Sequence, residues 1–266
     1  DREGLPEKKL IEVESSSSGD IWCLTDSLEL ISFDGSVFHQ YPTTAKESAL
    51  RPFDIAVTHD GVVWGITDSD SRIYRLEKSN WAGIMPEKDA LTGAHYRDII
   101  VDNDDTITIA SDCGLIRIKN GIWNVFGIDG PCNNFVFDML IDKNNTLWIA
   151  GDRGIDCYDG NTWSFWTVYN EDDSKPVSIR SVLVDKDNIK WFYTNEPAFI
   201  CYDGITWKYY RNDACIYSAS QSYCAVDKNN VKWIASLFNG VFSFDGNHFY
   251  SHAVEIGDMN DVTGTV

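Results

Sequence analysis

Short apolar runs recur along this chain at a steady interval: Ile55-Ala56-Val57, Ile99-Ile100-Val101, Met139-Leu140-Ile141, Val182-Leu183-Val184 and Cys224-Ala225-Val226. A continuous apolar run of this length, bounded by turn residues, reads as a strand buried on both faces. A polar turn follows each run, then a second short strand carrying an aromatic residue. A small-residue bend, a third strand, a further turn and a fourth strand opened by an aromatic complete the pattern. The later strands, such as Ile155 to Tyr158 and Trp163 to Trp166, mix polar and aromatic residues and are expected toward a rim.

The pattern keeps register. The second-strand aromatics fall at Trp22, Trp64, Trp148, Trp191 and Trp233, with Thr108 in the third place, at successive gaps of 42, 44, 40, 43 and 42 residues. Phe38, Trp81, Trp123, Trp163, Trp207 and Phe249 follow them by 15 to 17 residues. Four units carry Asp six residues before the first anchor, in DNDDT at 102, DKNNT at 142, DKDNI at 185 and DKNNV at 227. These residues accept turn backbone and cap it with their side chains. Asp34-Gly35, Asn120-Gly121, Asp159-Gly160, Asp203-Gly204 and Asp245-Gly246 stand before the second anchor as hairpin turns. Six four-stranded meanders, each needing a neighbour to cover its faces, predict an all-β chain folded as a six-bladed β-propeller of four-stranded antiparallel blades. One domain over residues 1–266 is expected, with blades at about 9–41, 51–85, 96–127, 135–169, 178–211 and 221–252 and the tail 253–266 as a closing strand.

The order of apolar strand, Asp, Asn- or Gly-bearing turn, Leu/Ile-Trp-Ile, small-residue bend and Tyr-Asp-Gly, best copied in LWIAGDRGIDCYDG at 147–160, resembles the propeller repeats of bacterial two-component regulators. More distantly the same grammar is similar to that of the streptogramin lyases. The first resemblance implies a sensing or interaction scaffold in the periplasmic or extracellular part of a signalling protein. The second unit departs from it, with Asp68-Ser69-Asp70-Ser71 at the bend and no Asp-Gly turn, and the third has Thr108 for Trp.

Composition narrows the partners. The 266 residues hold 22 Lys and Arg against 41 Asp and Glu, a net charge of −19, which repels phosphate backbones and anionic membrane surfaces. No nucleic acid partner is expected. No apolar run is long enough to span a bilayer, so no membrane insertion is expected either. The seven cysteines show no CxxC pair or zinc spacing and read as free thiols, which keeps a cytoplasmic location open beside the periplasmic one.

Candidate chemistry lies where the repeats disagree. The long irregular connections, at roughly 42–53, 82–97, 127–136, 167–178 and 211–221, gather on one end of such a fold, and loops on a rigid scaffold are where binding usually sits. Ten residues before the aromatic anchor stand Asp54, Asp98, Asp138, Ser181 and Tyr223; nearby come Arg51, Phe53, His95, Tyr96, Arg97, Phe135 and Arg180, with Arg153 at a bend. Repeat symmetry places them around one mouth. Arg51, Asp54, His95, Tyr96, Arg97, Asp98, Asp138, Arg153, Arg180 and Tyr223 are therefore the expected ligand contacts. Guanidinium forks and aromatic faces suit a polar small molecule, an oligosaccharide or a protein partner. The competing reading makes the three Asp residues caps of backbone amides, or partners of Arg97 and Arg180. A non-catalytic binding or sensing module is the first expectation. A lyase or glycoside-acting enzyme using carboxylates and His95, and a pure interaction scaffold, are the alternatives. The Asp turns lack the Gly and Glu of an EF-hand loop, so no metal and no cofactor are expected.

Overall fold

The computed structural model describes residues 9–16, 19–26, 29–41, 52–67, 72–77, 80–84, 94–112, 114–127, 135–169, 175–195, 198–211, 222–236 and 240–252. Arg51, the tail 253–266 and the side chains of Phe53 and Tyr223 lie outside the described residues. Among the described residues the chain is all β: six sheets, each of four antiparallel strands in sequence order. They divide between two compact units, one up to Gly127 and one from Ile128.

The first unit holds three sheets. They are β1 Leu10–Ser15, β2 Ile21–Thr25, β3 Leu30–Phe33 and β4 Phe38–Tyr41; β5 Pro52–Val57, β6 Val63–Thr67, β7 Ile73–Glu77 and β8 Asn80–Ile84; and β9 Tyr96–Val101, β10 Ile107–Ser111, β11 Gly114–Lys119 and β12 Ile122–Gly127. The second unit repeats the plan. Its sheets are β13 Val136–Ile141, β14 Leu147–Gly151, β15 Gly154–Tyr158 and β16 Trp163–Trp166; β17 Ile179–Val184, β18 Lys190–Thr194, β19 Ala198–Tyr202 and β20 Trp207–Arg211; and β21 Ser222–Val226, β22 Lys232–Ser236, β23 Gly240–Phe244 and β24 Phe249–His252. These are the blades that the repeat predicts.

The core lies between neighbouring sheets. One cluster joins Trp22, Leu24 and Leu30 to Ile55, Val57 and Val63; another joins Trp64, Ile66 and Ile73 to Tyr96, Ile99 and Ile109. In the second unit, Trp148 and Ile155 pack on Val182 and Phe192, and Trp191 and Phe199 pack on Ile234 and Phe244. The strand most deeply enclosed differs from the sequence reading. All five residues of β6, β10, β14 and β18 are buried, whereas β9 and β13 keep partial exposure at several positions. A second strand has a hydrogen-bonded neighbour on each side; a first strand has one, and its apolar run faces an open edge.

The polar turns are joints. The carboxylates of Asp102, Asp142, Asp185 and Asp227 accept the amides two and four residues on. In three of these blades the second carboxylate oxygen takes the indole N–H of the anchor: Trp148 to Asp142 at 3.1 Å, Trp191 to Asp185 at 2.8 Å and Trp233 to Asp227 at 3.2 Å. A Lys of the following blade closes the arrangement, Lys190 to Asp142 at 2.9 Å and Lys232 to Asp185 at 3.3 Å, Lys190 lying over the Trp148 ring and Lys232 over the Trp191 ring. Where Thr108 replaces Trp, Arg117 fills in: its Nε–H donates to Thr108 Oγ1 and its guanidinium pairs with Asp102 at 2.8 Å. In the first blade Ser16 stands six residues before Trp22, and the buried indole N–H of Trp22 has no partner among the described residues. The fourth turn residue adopts the left-handed conformation at Asp105, Asn145, Asn188 and Asn230, which Asn and Asp tolerate through local hydrogen bonding. From there Asp105 accepts the His59 amide at 2.7 Å, Asn188 the Lys143 amide at 3.2 Å and Asn230 the Lys186 amide at 3.3 Å. Each of these turns therefore bonds back to the blade before it.

Candidate functional site

A first strand is not a plain ladder. The pairing with the second strand slips by one residue at the same place in five blades, so that Ile11, Phe53, Arg97, Phe137 and Arg180 are each the extra residue of a β-bulge. All five stand 11 residues before the anchor position. A bulge bends the strand and re-aims a side chain that alternation would send elsewhere. That is why Tyr96 and Arg97, adjacent in sequence, part company: Tyr96 is 1% exposed in the core, and Arg97 is exposed.

One residue beyond the bulge, the register aligns Glu12, Asp54 and Asp98 in the first unit, opposite Leu24, Ile66 and Ala110. In the second unit it aligns Asp138, Ser181 and Tyr223, opposite Ala150, Tyr193 and Ala235. The open edge of a first strand leaves backbone amides that need acceptors. Asp54 supplies one, its Oδ2 accepting the Ile99 amide of the next blade at 3.1 Å. Asp138 does the same more fully: its Oδ2 accepts the Val182 amide at 2.8 Å and the Ser181 hydroxyl at 2.7 Å. Both carboxylates cap amides.

Their charges are strained by their surroundings. Burial lifts the Asp54 carboxyl well above its ordinary value; Asp98 and Glu12 add to the rise and the Ile99 amide opposes it. Glu14, which faces Trp22 across the strand pair, is pushed up to about 7 by burial and by Glu12. Glu12 and Glu14 were missed in the sequence because LIEVES shows no apolar run and no Asp turn follows it. Counting ten residues back from Trp22 finds Glu12. In the second unit, burial raises Asp138 to about 6, against the pull of Ser181 and Val182. Burial raises the Cys224 thiol too, beside Ser181 and Asp138, and the hydroxyl of Tyr193 is buried without a partner among the described residues.

The other expected contacts fall at the same strand ends. His95 is exposed, and Asp112 clamps its backbone through bonds of 2.9 and 3.1 Å. Asp152 clamps Phe135 in the same way at 3.1 and 3.0 Å, and Asn195 clamps Ser178 at 3.0 and 2.9 Å. Arg153, next to Asp152 at the bend, is exposed. Arg180 is half-buried, its guanidinium carbon 4.2 Å from the centre of the Phe137 ring, and burial draws its pKa below the usual value. Its Nε–H is enclosed without a hydrogen-bond partner among the described residues. Phe135 and Phe137 keep 44% and 37% of their surface exposed, unusual for Phe beside a strand edge. The second unit thus pairs Phe137 with Arg180 and Asp138 with Ser181, and the first brings Asp54 near Asp98 and Glu12. Cys23, Cys157, Cys201 and Cys224 are free, and the described residues hold no group of three or more His, Cys, Asp or Glu placed to bind a metal.

Six four-stranded antiparallel sheets with Asp–Trp turn joints and bulged first strands have the fold of a β-propeller. Residues 130–153, which cover β13, β14 and the bend after it, match the two component regulator propeller repeat, and the chain carries that repeat. No curated protein matches the chain by sequence. Among solved structures, the extracellular domain of the one component system BT4673 from B. thetaiotaomicron is 18% identical, with a TM-score of 0.68 over 97% of this chain. The chain spans 34% of that domain's length, about a third. Virginiamycin B lyase from Staphylococcus aureus is 10% identical, with a TM-score of 0.72 over 95% of this chain and 86% of the lyase. YCF48, solved with a D1 peptide bound, is 12% identical, with a TM-score of 0.65 over 93% of this chain and 83% of its own. At these identities the likeness is one of fold.

Proposed function

We propose that this chain is a non-catalytic ligand-binding or sensing propeller that meets a polar small molecule, an oligosaccharide or a protein partner at the bulged ends of its first strands. The observation that carries this reading is the bulge column. Five blades spend a local break in pairing at one position, and in three of them it holds Arg97, Phe137 and Arg180, side chains that keep exposure where the residue before each, Tyr96, Val136 and Ile179, is buried. Phe53 has the same place in the second blade. The carboxylates one residue further in cap backbone amides at Asp54 and Asp138, which favours a structural share for the Asp column and leaves recognition to the bulge residues.

Two likenesses support the class of role. BT4673 contributes an extracellular domain of a signalling system, and YCF48 binds a peptide. An extracellular or periplasmic place within a larger sensor fits the first. The described residues contain no helix long and apolar enough to cross a membrane. The lyase likeness, at 10% identity, is one of fold, and His95 stands exposed with its backbone clamped by Asp112. The test is a thermal-shift screen of a saccharide and metabolite library against the parent, Arg97→Ala, Phe137→Ala and the outer-strand control Lys208→Ala. Hits that stabilise the parent and the control but neither bulge variant are expected. Equal stabilisation of all four chains removes the bulge column from the site.

A further inference from the structure

Arg180 is an anomaly in this chain. With 41 acidic residues against 22 basic, an ordinary guanidinium finds a carboxylate, as Arg117 finds Asp102 at 2.8 Å and Arg75 finds Glu77. Arg180 makes no hydrogen bond or ion pair to any described residue, although it is half-buried and its Nε–H is enclosed. An enclosed donor with no acceptor is unfavourable. Asp138, one residue beyond the Phe137 bulge, is engaged by Ser181 and Val182. The guanidinium carbon lies 4.2 Å from the centre of the Phe137 ring, a cation–π contact. Phe137 keeps 37% of its surface exposed beside it.

Resting on the reading of the bulge column as a binding surface, we infer that the Phe137–Arg180 pair recognises a carboxylate borne on a ring. The guanidinium fork would grip the two carboxylate oxygens, and the exposed Phe surface would lie against the ring. Arg matches a planar two-oxygen acceptor bidentately, a fit Lys lacks. A sugar ring carrying a uronic acid and an aromatic ring carrying an acid share this chemistry.

The probes are digalacturonic acid and its methyl ester, and phenylacetate and phenylacetamide, titrated by calorimetry into the parent, Arg180→Ala, Arg180→Lys and Phe137→Leu chains. At least one acid is expected to bind the parent and to lose about 10- to 100-fold in affinity on Arg180→Ala, from the loss of charged hydrogen bonds. Arg180→Lys is expected to recover only part of the loss, and the matching neutral probe to bind as poorly to the parent as the acid does to Arg180→Ala. Which acid binds separates the saccharide from the aromatic source. Melting temperatures within about 2 °C of the parent show that the variants fold, and Phe137→Leu tests the stacking if Arg180→Ala fails that check. An ester or amide that binds as tightly as its acid, or failure of both acids to bind at millimolar concentration, overturns the inference. The wider function survives that outcome when neutral hits from the library screen still depend on Arg97 and Phe137, and falls when none does.

Discussion

Glu14→Gln turns the acidity of β1 into a measurement. Glu14 lies opposite Trp22, at a position where the other first strands carry Ala56, Ile100, Leu140, Leu183 and Ala225. Its carboxyl, ordinarily near 4.5, is pushed to about 7 by burial and by Glu12. Between those values the folded chain keeps a proton that the unfolded chain has released. The stabilisation is therefore complete below the unfolded value and is lost as pH rises through the folded one. At about 1.4 kcal/mol for each tenfold change in proton affinity, the interval corresponds to about 3 kcal/mol. Partial exposure of the side chain reduces this to about 2 kcal/mol. Gln keeps the shape and drops the titration. At pH 8 the variant is expected to be about 2 kcal/mol more stable than the parent, roughly 4–8 °C in Tm, and at pH 4.5 to match it. Thermal unfolding followed by circular dichroism at the two pH values reads this directly. Asp54 and Asp138 are raised in the same direction, so part of the parent's loss at pH 8 persists in the variant. A variant that loses as much Tm as the parent between pH 4.5 and pH 8 refutes the assignment of a raised, buried Glu14.

Two further outcomes test the scaffold. Lys190→Ala removes the buried partner of Asp142 and the cation over Trp148, and urea unfolding should show a loss of about 3 kcal/mol; a loss under about 0.5 kcal/mol would show that the indole and amides satisfy Asp142 alone. Gly154 has φ of +136°, and a Cβ there would stand 2.1 Å from the Trp166 carbonyl oxygen, so Gly154→Ala should cost more than about 3 kcal/mol, while Gly160→Ala, with open space around it, should cost only about 1 kcal/mol of backbone strain. Similar melting temperatures for the two Ala variants would contradict the packing at β15 and β16.

The blades were legible because each is specified locally. Asp-Gly hairpins, the left-handed fourth residue of the Asp turn and the alternation of the outer strands are written within a few residues. The joints between blades were less so. Nothing near Thr108 announces Arg117, because their contact depends on β10 and β11 being paired, and Lys190 reads as a surface residue until Asp142 of the previous blade is beside it. The bulge was hidden for the same reason. A one-residue slip leaves no mark on composition, and Tyr96 and Arg97 look like equal candidates until pairing sends one inward. Aligning columns by distance from the anchor separates them, since the position 11 residues before it reads Ile11, Phe53, Arg97, Phe137, Arg180 and Ser222.

The turn joints run in one direction: Asp105 reaches back to His59, Asn188 to Lys143 and Asn230 to Lys186. Every blade built this way has a donating edge and an accepting edge, and the two are different surfaces. A duplicated blade therefore arrives carrying both halves of its own seam and can be spliced between two others without redesigning either. Gene copying in steps of about 42 residues is then mechanically cheap, while a deletion inside one copy spoils two seams at once. Such a lineage grows by whole blades, and what distinguishes one copy from the next collects in columns the seam does not use, the bulge column first among them.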